Sequence, residues 1–196
     1  IFGIRHVFGF WSFLFPDGPS LAENAQFSVL FTIAKDPSNR VRTSALNFMY
    51  NFFNFGKLFI RTLVSESSFS KHTSAKAFTP LSVSLTSMVK ELHSFFEHIL
   101  MKETNSALLI LIYKVVSLIV VITPYHKLCT DILRPLFYRN SFLLDHKVTQ
   151  IKNLSLVLYV KMFTPEFLPK EFGAWLVENK VGVEMLSKIF RYCFEF

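Results

Sequence analysis

The stretch Asp36-Pro37-Ser38-Asn39-Arg40-Val41-Arg42-Thr43-Ser44-Ala45-Leu46 decides how the chain folds. Before it, Leu21, Phe27, Leu30, Phe31 and Ala34 recur at helical spacing as far as Lys35. After it, Val41, Ala45, Phe48, Phe52, Phe59 and Leu63 do the same. The Asp36 carboxylate is able to cap a helix, and Pro37 suits a first helical position, where its missing N–H needs no partner. The stretch therefore predicts a very short break between two antiparallel amphipathic helices, the second weakened locally by Gly56.

Outward from this pair, the remaining signals are also helical. Residues 1–15 carry Phe2, Phe8, Phe10, Trp11, Phe13 and Phe15 and read as the end of a buried helix, stopped by the turn Pro16-Asp17-Gly18-Pro19. Ser20-Leu21-Ala22-Glu23 has capping-box spacing. Residues 65–77 are Ser-rich and too polar to offset the entropy of ordering, so a loop is expected there. Thr79 and Pro80 open a further helix. On it Leu85, Met88, Val89, Leu92, Phe96 and Ile99 face one way, and Ser87, Lys90, Glu91, Ser94, Glu97 and His98 face another.

Thr104 or Asn105 is placed to cap the next helix, whose run from Ala107 to Ile122 is broken only by Lys114 and Ser117. A membrane span needs roughly 20 apolar residues, and a central Lys costs about 2.5–3.5 kcal/mol on insertion. The run is too short and carries Lys114 near its middle. Glu103, Ser106, Tyr113, Lys114 and Ser117 form a narrow stripe, as expected of a buried helix with one wet edge. Beyond Pro124, a short helix is expected over 125–133, a bent connection at Pro135 and Asn140, and a helix opened by Asp145-His146-Lys147-Val148 with Ile151, Leu154, Leu158 and Met162 on one side. Its Ile151-Lys152 followed by Leu156 echoes Val41-Arg42 followed by Leu46. Pro165 and Pro169 break the chain again, before two helices near 169–179 and 183–195. No stretch of strand periodicity competes.

Composition bounds the rest. The 196 residues are 51% hydrophobic and 18% charged, which excludes a disordered tail. The 24 Phe fit either a binding surface or substitution among core-compatible residues, and the second is the simpler reading. Cys129 and Cys193 stand far apart, giving neither a disulfide framework nor a zinc set and pointing to an intracellular chain. The formal charge of +7 allows nucleic acid, acidic protein or anionic lipid as partners, although it is spread rather than blocked. Ile1 at one end and the helical Cys193-Phe194-Glu195-Phe196 at the other suggest a piece of a longer chain.

The turn grammar at 36–46 resembles the inner turn of a HEAT repeat, a helix-turn-helix unit that stacks into solenoids. An ordered set of residues extends the likeness: Lys35-Asp36-Pro37-Ser38, Arg42, Ala45-Leu46, Ala77-Phe78-Thr79-Pro80 with Ser82-Val83, Lys90-Glu91-Leu92-His93, and Pro124-Tyr125 with Leu128. Together they resemble the conserved uncharacterised domain of HEAT repeat-containing protein 6 over roughly residues 20–163. The resemblance implies an all-α, HEAT/armadillo-like α-solenoid within a larger intracellular protein, with no established enzymatic activity. The expected compartment is the cytoplasm or nucleus, and neither a catalytic role nor a cofactor is expected. The expected organisation is the end of a preceding buried helix at 1–15, a HEAT-like domain over 16–163, and, beyond the reach of the resemblance, a helical pair over 164–196 opening the next repeat. The resemblance also implies that Asp36 and Arg42 join a polar ladder between turns, with Val41 and Leu46 as the apolar part of the motif. Lys152 departs from that pattern, because an ammonium cannot make the planar two-pronged contact of a guanidinium.

Candidate sites are few. His93-Ser94-Phe95-Phe96-Glu97-His98 separates its histidines by about 140° on a helix, unlike the H-E-x-x-H metal arrangement, so His93 and Glu97 are read as a surface pair. Neither a G-x-S-x-G elbow nor a glycine-rich phosphate loop occurs. Arg40, Lys57 and Arg61 are the candidate interaction surface. On a groove they would neutralise phosphates with strong salt dependence, yet no aromatic-basic RNA motif accompanies them. The expected function is a non-catalytic scaffold for protein partners and for neighbouring repeats of its own chain. A nucleic-acid-binding solenoid with a basic face is the alternative.

Overall fold

The computed structural model describes residues 29–68, 80–123, 125, 132–163 and 170–194, and every element among them is helical. In chain order these are α1 (Val29–Ile33), α2 (Asn39–Ser68), α3 (Pro80–Lys102), α4 (Ser106–Ile122), α5 (Leu133–Ser141), α6 (Thr149–Met162), α7 (Lys170–Glu178) and α8 (Lys180–Phe194), with a 3-10 turn at Phe142–Asp145 between α5 and α6. The fold is all-α. The aromatic segment 1–15, the turn at 16–19, the capping box at Ser20 and most of the short helix expected over 125–133 lie outside the described residues.

Helices pack against their second neighbours as well as their first. Helix α2 lies against α4 and α4 against α6, while α3 contacts α2, α4 and α5. The short α1 meets α2, and α7 meets α8. At the centre is α4, with Leu108, Leu109, Ile112, Val115, Val116, Ile119, Val120 and Ile122 all buried. Its start is fixed by Asn105, whose Oδ1 accepts from the N–H groups of Ala107 at 2.9 Å and Leu108 at 3.2 Å.

Several expectations are corrected here. The wet stripe on α4 is not there: Tyr113 and Ser117 are buried, and of that set Lys114 alone is exposed. Tyr113 tolerates burial because its hydroxyl donates to Asn140 Oδ1 at 2.8 Å. Among the described side chains of α2, Ala45 is buried as expected, but its companions are Leu46, Met49 and Phe53, while the expected Val41, Phe48 and Phe52 are half-buried. Helix α2 packs on both α3 and α4, so its apolar arc is wide, and Phe52 turns its ring edge-on to Phe53 at 5.4 Å. Residues 65–68, expected to begin the loop, instead finish α2. The rest of that loop lies outside the described residues.

Pro135 and Asn140 do not mark a connection; both lie within α5. Pro135 is the third residue of the helix, where the backbone N–H has no intrahelical acceptor, so a proline costs little. Asn140 is fully buried. Its side-chain amide donates to the Ser155 carbonyl at 3.0 Å, and Ser155 Oγ donates back to Asn140 Oδ1 and to its carbonyl at 3.0 and 3.1 Å. A polar residue that would favour a loop in isolation is held in a helix by partners from α4 and α6.

At the last pair, Gly182 lets α8 approach α7. A Cβ there would stand 2.8 Å from Leu176 Cα and closer still to the Leu176 carbonyl, both backbone and unable to yield. Gly173, within α7, meets nothing within 4 Å. The two glycines should respond oppositely to alanine. Gly182→Ala is expected to lower stability by about 1–3 kcal/mol through overpacking, and Gly173→Ala to raise it by about 0.5–1 kcal/mol through helix propensity. Urea denaturation checks the pair, and equal shifts for the two variants would contradict the close approach.

Candidate functional site

The residues of the opening motif form a closed set of bonds around the α1–α2 turn. Asp36 Oδ1 accepts from the Ser38 N–H at 2.8 Å, an Asx turn that closes before the helix starts at Asn39. Asp36 is thus not the cap of α2, and Pro37 lies two residues ahead of its first position. Arg42 does the joining. Its Nη1 donates to the Asp36 carbonyl at 2.8 Å and the Pro37 carbonyl at 3.2 Å, and its Nη2 to Asn39 Oδ1 at 2.6 Å. Val41 is half-buried at the edge of this turn, and Leu46 is sealed in the core beneath it.

Arg42 also reaches the next turn. Its Nε lies 3.2 Å from Glu103 Oε2, and its Nη2 donates to Oε1 at 3.4 Å. Glu103 Oε1 in turn accepts from the backbone N–H groups of Thr104 at 3.1 Å and Asn105 at 2.9 Å. The carboxylate therefore orders the α3–α4 turn and binds the α1–α2 turn at once. The acid facing Arg42 is Glu103, not the Asp36 side chain. It comes from 61 residues away, a partner that no local pattern identifies.

The echo at Lys152 is bound differently. Lys152 Nζ lies 5.9 Å from the centre of the Tyr192 ring, over its face. The nearby Asp145 carboxylate accepts from Lys188 and from the Tyr192 hydroxyl, both on α8. Those hydrogen bonds hold Asp145 below the usual carboxylate range. Both turns are thus tied to a later element, the first by a guanidinium and the second by an ammonium and a phenol.

Of the proposed surface residues, Arg40 and Lys57 do not converge. Arg40 and Lys57 are exposed, but seventeen residues of helix put them about 25 Å apart on α2. The Arg61 side chain lies outside the described residues. Instead, the exposed stripe of α3 borders three hollows of about 700, 340 and 410 Å³, each lined in part by His98. Lys90, Ser94 and Lys35 line the first, Lys35, Lys102 and Glu103 the second, and Ser94, Met101 and Arg139 the third. Lys90, Glu91, Ser94, Glu97 and His98, the polar face expected of this helix, are therefore the wall of a groove. The sequence displayed the stripe at a spacing of three and four, but not the turn and the α5 residue that close it.

Charge in the groove is uneven. Glu97 is engaged with Arg139 Nε at 3.3 Å, and Glu103 with Arg42. Burial holds the Glu91 carboxyl above its usual range. Among the described residues Lys35, Lys90 and Lys102 make no ion pair, though Lys35 Nζ stands 5.6 Å from the centre of the Phe95 ring. Burial, then Lys102 and Lys35, lower the His98 imidazole below its ordinary value against the pull of Glu97.

The His93–Glu97 surface pair is also corrected. His93 is buried, with Nε2 2.5 Å from the Tyr125 hydroxyl and the two rings edge-to-face at 5.5 Å. An apolar neighbourhood recruited the histidine inward once Tyr125 supplied its polar partner. Among the described residues no three of His, Cys, Asp and Glu come together as a metal would need, and no helix is long and apolar enough to cross a membrane.

The model of a family described as a domain of unknown function, DUF4042, matches residues 2–171, and the chain belongs to that family. No solved structure matches the chain.

The Arg42–Glu103 link generates a double-mutant prediction. Their side chains are 18% and 11% exposed, so solvent screens the pair weakly. Arg42→Ala and Glu103→Ala, alone and together, should show a coupling of about 0.5–3 kcal/mol in urea denaturation. Arg42→Lys should recover little of the loss. Strict additivity would mean that the two turns are independent.

Proposed function

We propose that this chain, a member of a family defined without an activity, is a non-catalytic scaffold of HEAT/armadillo-like solenoid type that serves as a protein–protein interaction module. The observation that carries the reading is the alternate stacking of α2 on α4 on α6, with α3 against α5 alongside. Stacking of every second helix is how repeats bury one face on their neighbours and keep a long surface for partners. The tie from Arg42 to the next turn adds support, since a polar link between successive turns suits the same arrangement. So does the resemblance of residues 20–163 to the conserved domain of HEAT repeat-containing protein 6.

Exposed apolar residues favour binding to protein over binding to nucleic acid. Val183, Phe190 and Phe194 share one stripe of α8, and Val177 is exposed on α7. Large apolar side chains gathered on a surface mark contacts with other protein.

Affinity capture from lysate, followed by reconstitution with purified components, tests the reading. A protein that rebinds the purified chain at fixed stoichiometry and resists nuclease is the expected result. Recovery of nucleic acid alone, released by nuclease and by salt, would overturn it in favour of a basic nucleic-acid-binding solenoid.

A further inference from the structure

The groove on α3 combines features that select one class of ligand. Its cations are Lys90 and Lys102 at the two ends of the helical stripe and Lys35 facing them from the α1–α2 turn. Of its acids, Glu97 is engaged by Arg139 and Glu103 by Arg42, which leaves Glu91 alone against the three lysines. The floor is rigid: Phe31 and Phe95 stack at 4.5 Å with their planes 13° apart, and they are 3% and 5% exposed. At the far end Met101 is 44% exposed and offers an apolar rest.

Length sets the size of the ligand. Twelve helical residues from Lys90 to Lys102 span about 18 Å, which an extended peptide covers in about five or six residues at 3.3 Å each. A lone phosphate or carboxylate would touch one end only. Single-stranded nucleic acid needs exposed aromatic faces for its bases to stack on, and the two rings here are sealed beneath the surface. Ser94 and His98 stand midway and supply hydrogen-bonding groups for a peptide backbone.

We propose that this groove docks an extended acidic peptide segment of about five or six residues, its carboxylates meeting Lys35, Lys90 and Lys102 and an apolar side chain resting on Met101. The proposal rests on the scaffold reading and names the partner chemistry at one of its surfaces. It moves the interaction surface from Arg40 and Lys57 on α2 to the outer stripe of α3.

The test is fluorescence anisotropy of the 196-residue chain with a fluorescein-labelled hexapeptide of four glutamates and two leucines. Lys35→Glu/Lys90→Glu/Lys102→Glu should weaken binding by about tenfold or more, as expected when several exposed charge contacts are reversed together. Arg40→Glu/Lys57→Glu should leave it within about twofold, because those charges lie outside the groove. Helical circular dichroism checks that each variant folds, and the milder Lys→Gln triple replaces the reversal should the latter not fold. Unchanged affinity in the groove variant, an equal loss in both variants, or tighter binding of a single-stranded RNA hexamer at the same lysines would overturn the proposal. A captured protein whose rebinding survives the groove reversal would also overturn it while leaving the scaffold reading intact. Failure to capture any protein would remove the scaffold reading, and the peptide titration would still decide the groove.

Discussion

Helix α4 has almost no face that water could cover, and the remaining helices are arranged by that fact. Each fully buried Leu, Ile or Val contributes about 1.5–3 kcal/mol relative to exposure, and α4 carries eight of them between Leu108 and Ile122. No single neighbour could seal that cylinder. Helices α2 and α6 both lie against it, and α3 packs on it as well. A helix apolar on nearly every side enforces neighbours with complementary stripes. Those neighbours are amphipathic because their other sides meet water.

The same burial creates polar obligations that fix register. Tyr113 enters the core with a hydroxyl, and an unsatisfied buried donor costs about 1–3 kcal/mol. Asn140 meets that need from α5 and is itself held by Ser155 from α6. Three helices are thus located by one cluster of hydrogen bonds. At the surface the Arg42–Glu103 contact does the equivalent work between turns. Helix α3, packed against α2, α4 and α5, keeps one side uncovered, so that its stripe of lysine, serine and histidine becomes a wall rather than a scatter of solvated charges.

How much of this the sequence displayed depends on the range of each interaction. Features decided within four residues were legible: the break at 36–38, the start of α3 at Pro80, the capping of α4 by Asn105, and the closing pair α7 and α8. Features decided across the fold were not. Asn140 carries a loop preference in its own neighbourhood, and its helical place follows from partners 15 and 27 residues away. His93 resembled a surface residue because Tyr125, 32 residues on, is absent from any local window. Lys35 and Lys102 flank one groove, a fact set by the packing of a turn on a helix. Arg40 and Lys57 looked like parts of one patch because charge spacing was the only measure of proximity that the sequence offered.

Three tyrosines extend these consequences to the solvent. Tyr113, Tyr125 and Tyr159 are almost wholly buried, and their hydroxyls engage Asn140, His93 and the Phe137 carbonyl. Burial raises each phenol well above its ordinary value. In the unfolded chain the same phenols ionise at about pH 10. The stability they confer is therefore complete below that point and drains away as pH climbs past it. A phenolate at Tyr113 would also repel one at Tyr159, whose phenol is raised partly by that neighbour. Alkali thus meets resistance at three separate places in one core, and yielding at Tyr113 surrenders the Asn140 cluster that locates α4, α5 and α6 together.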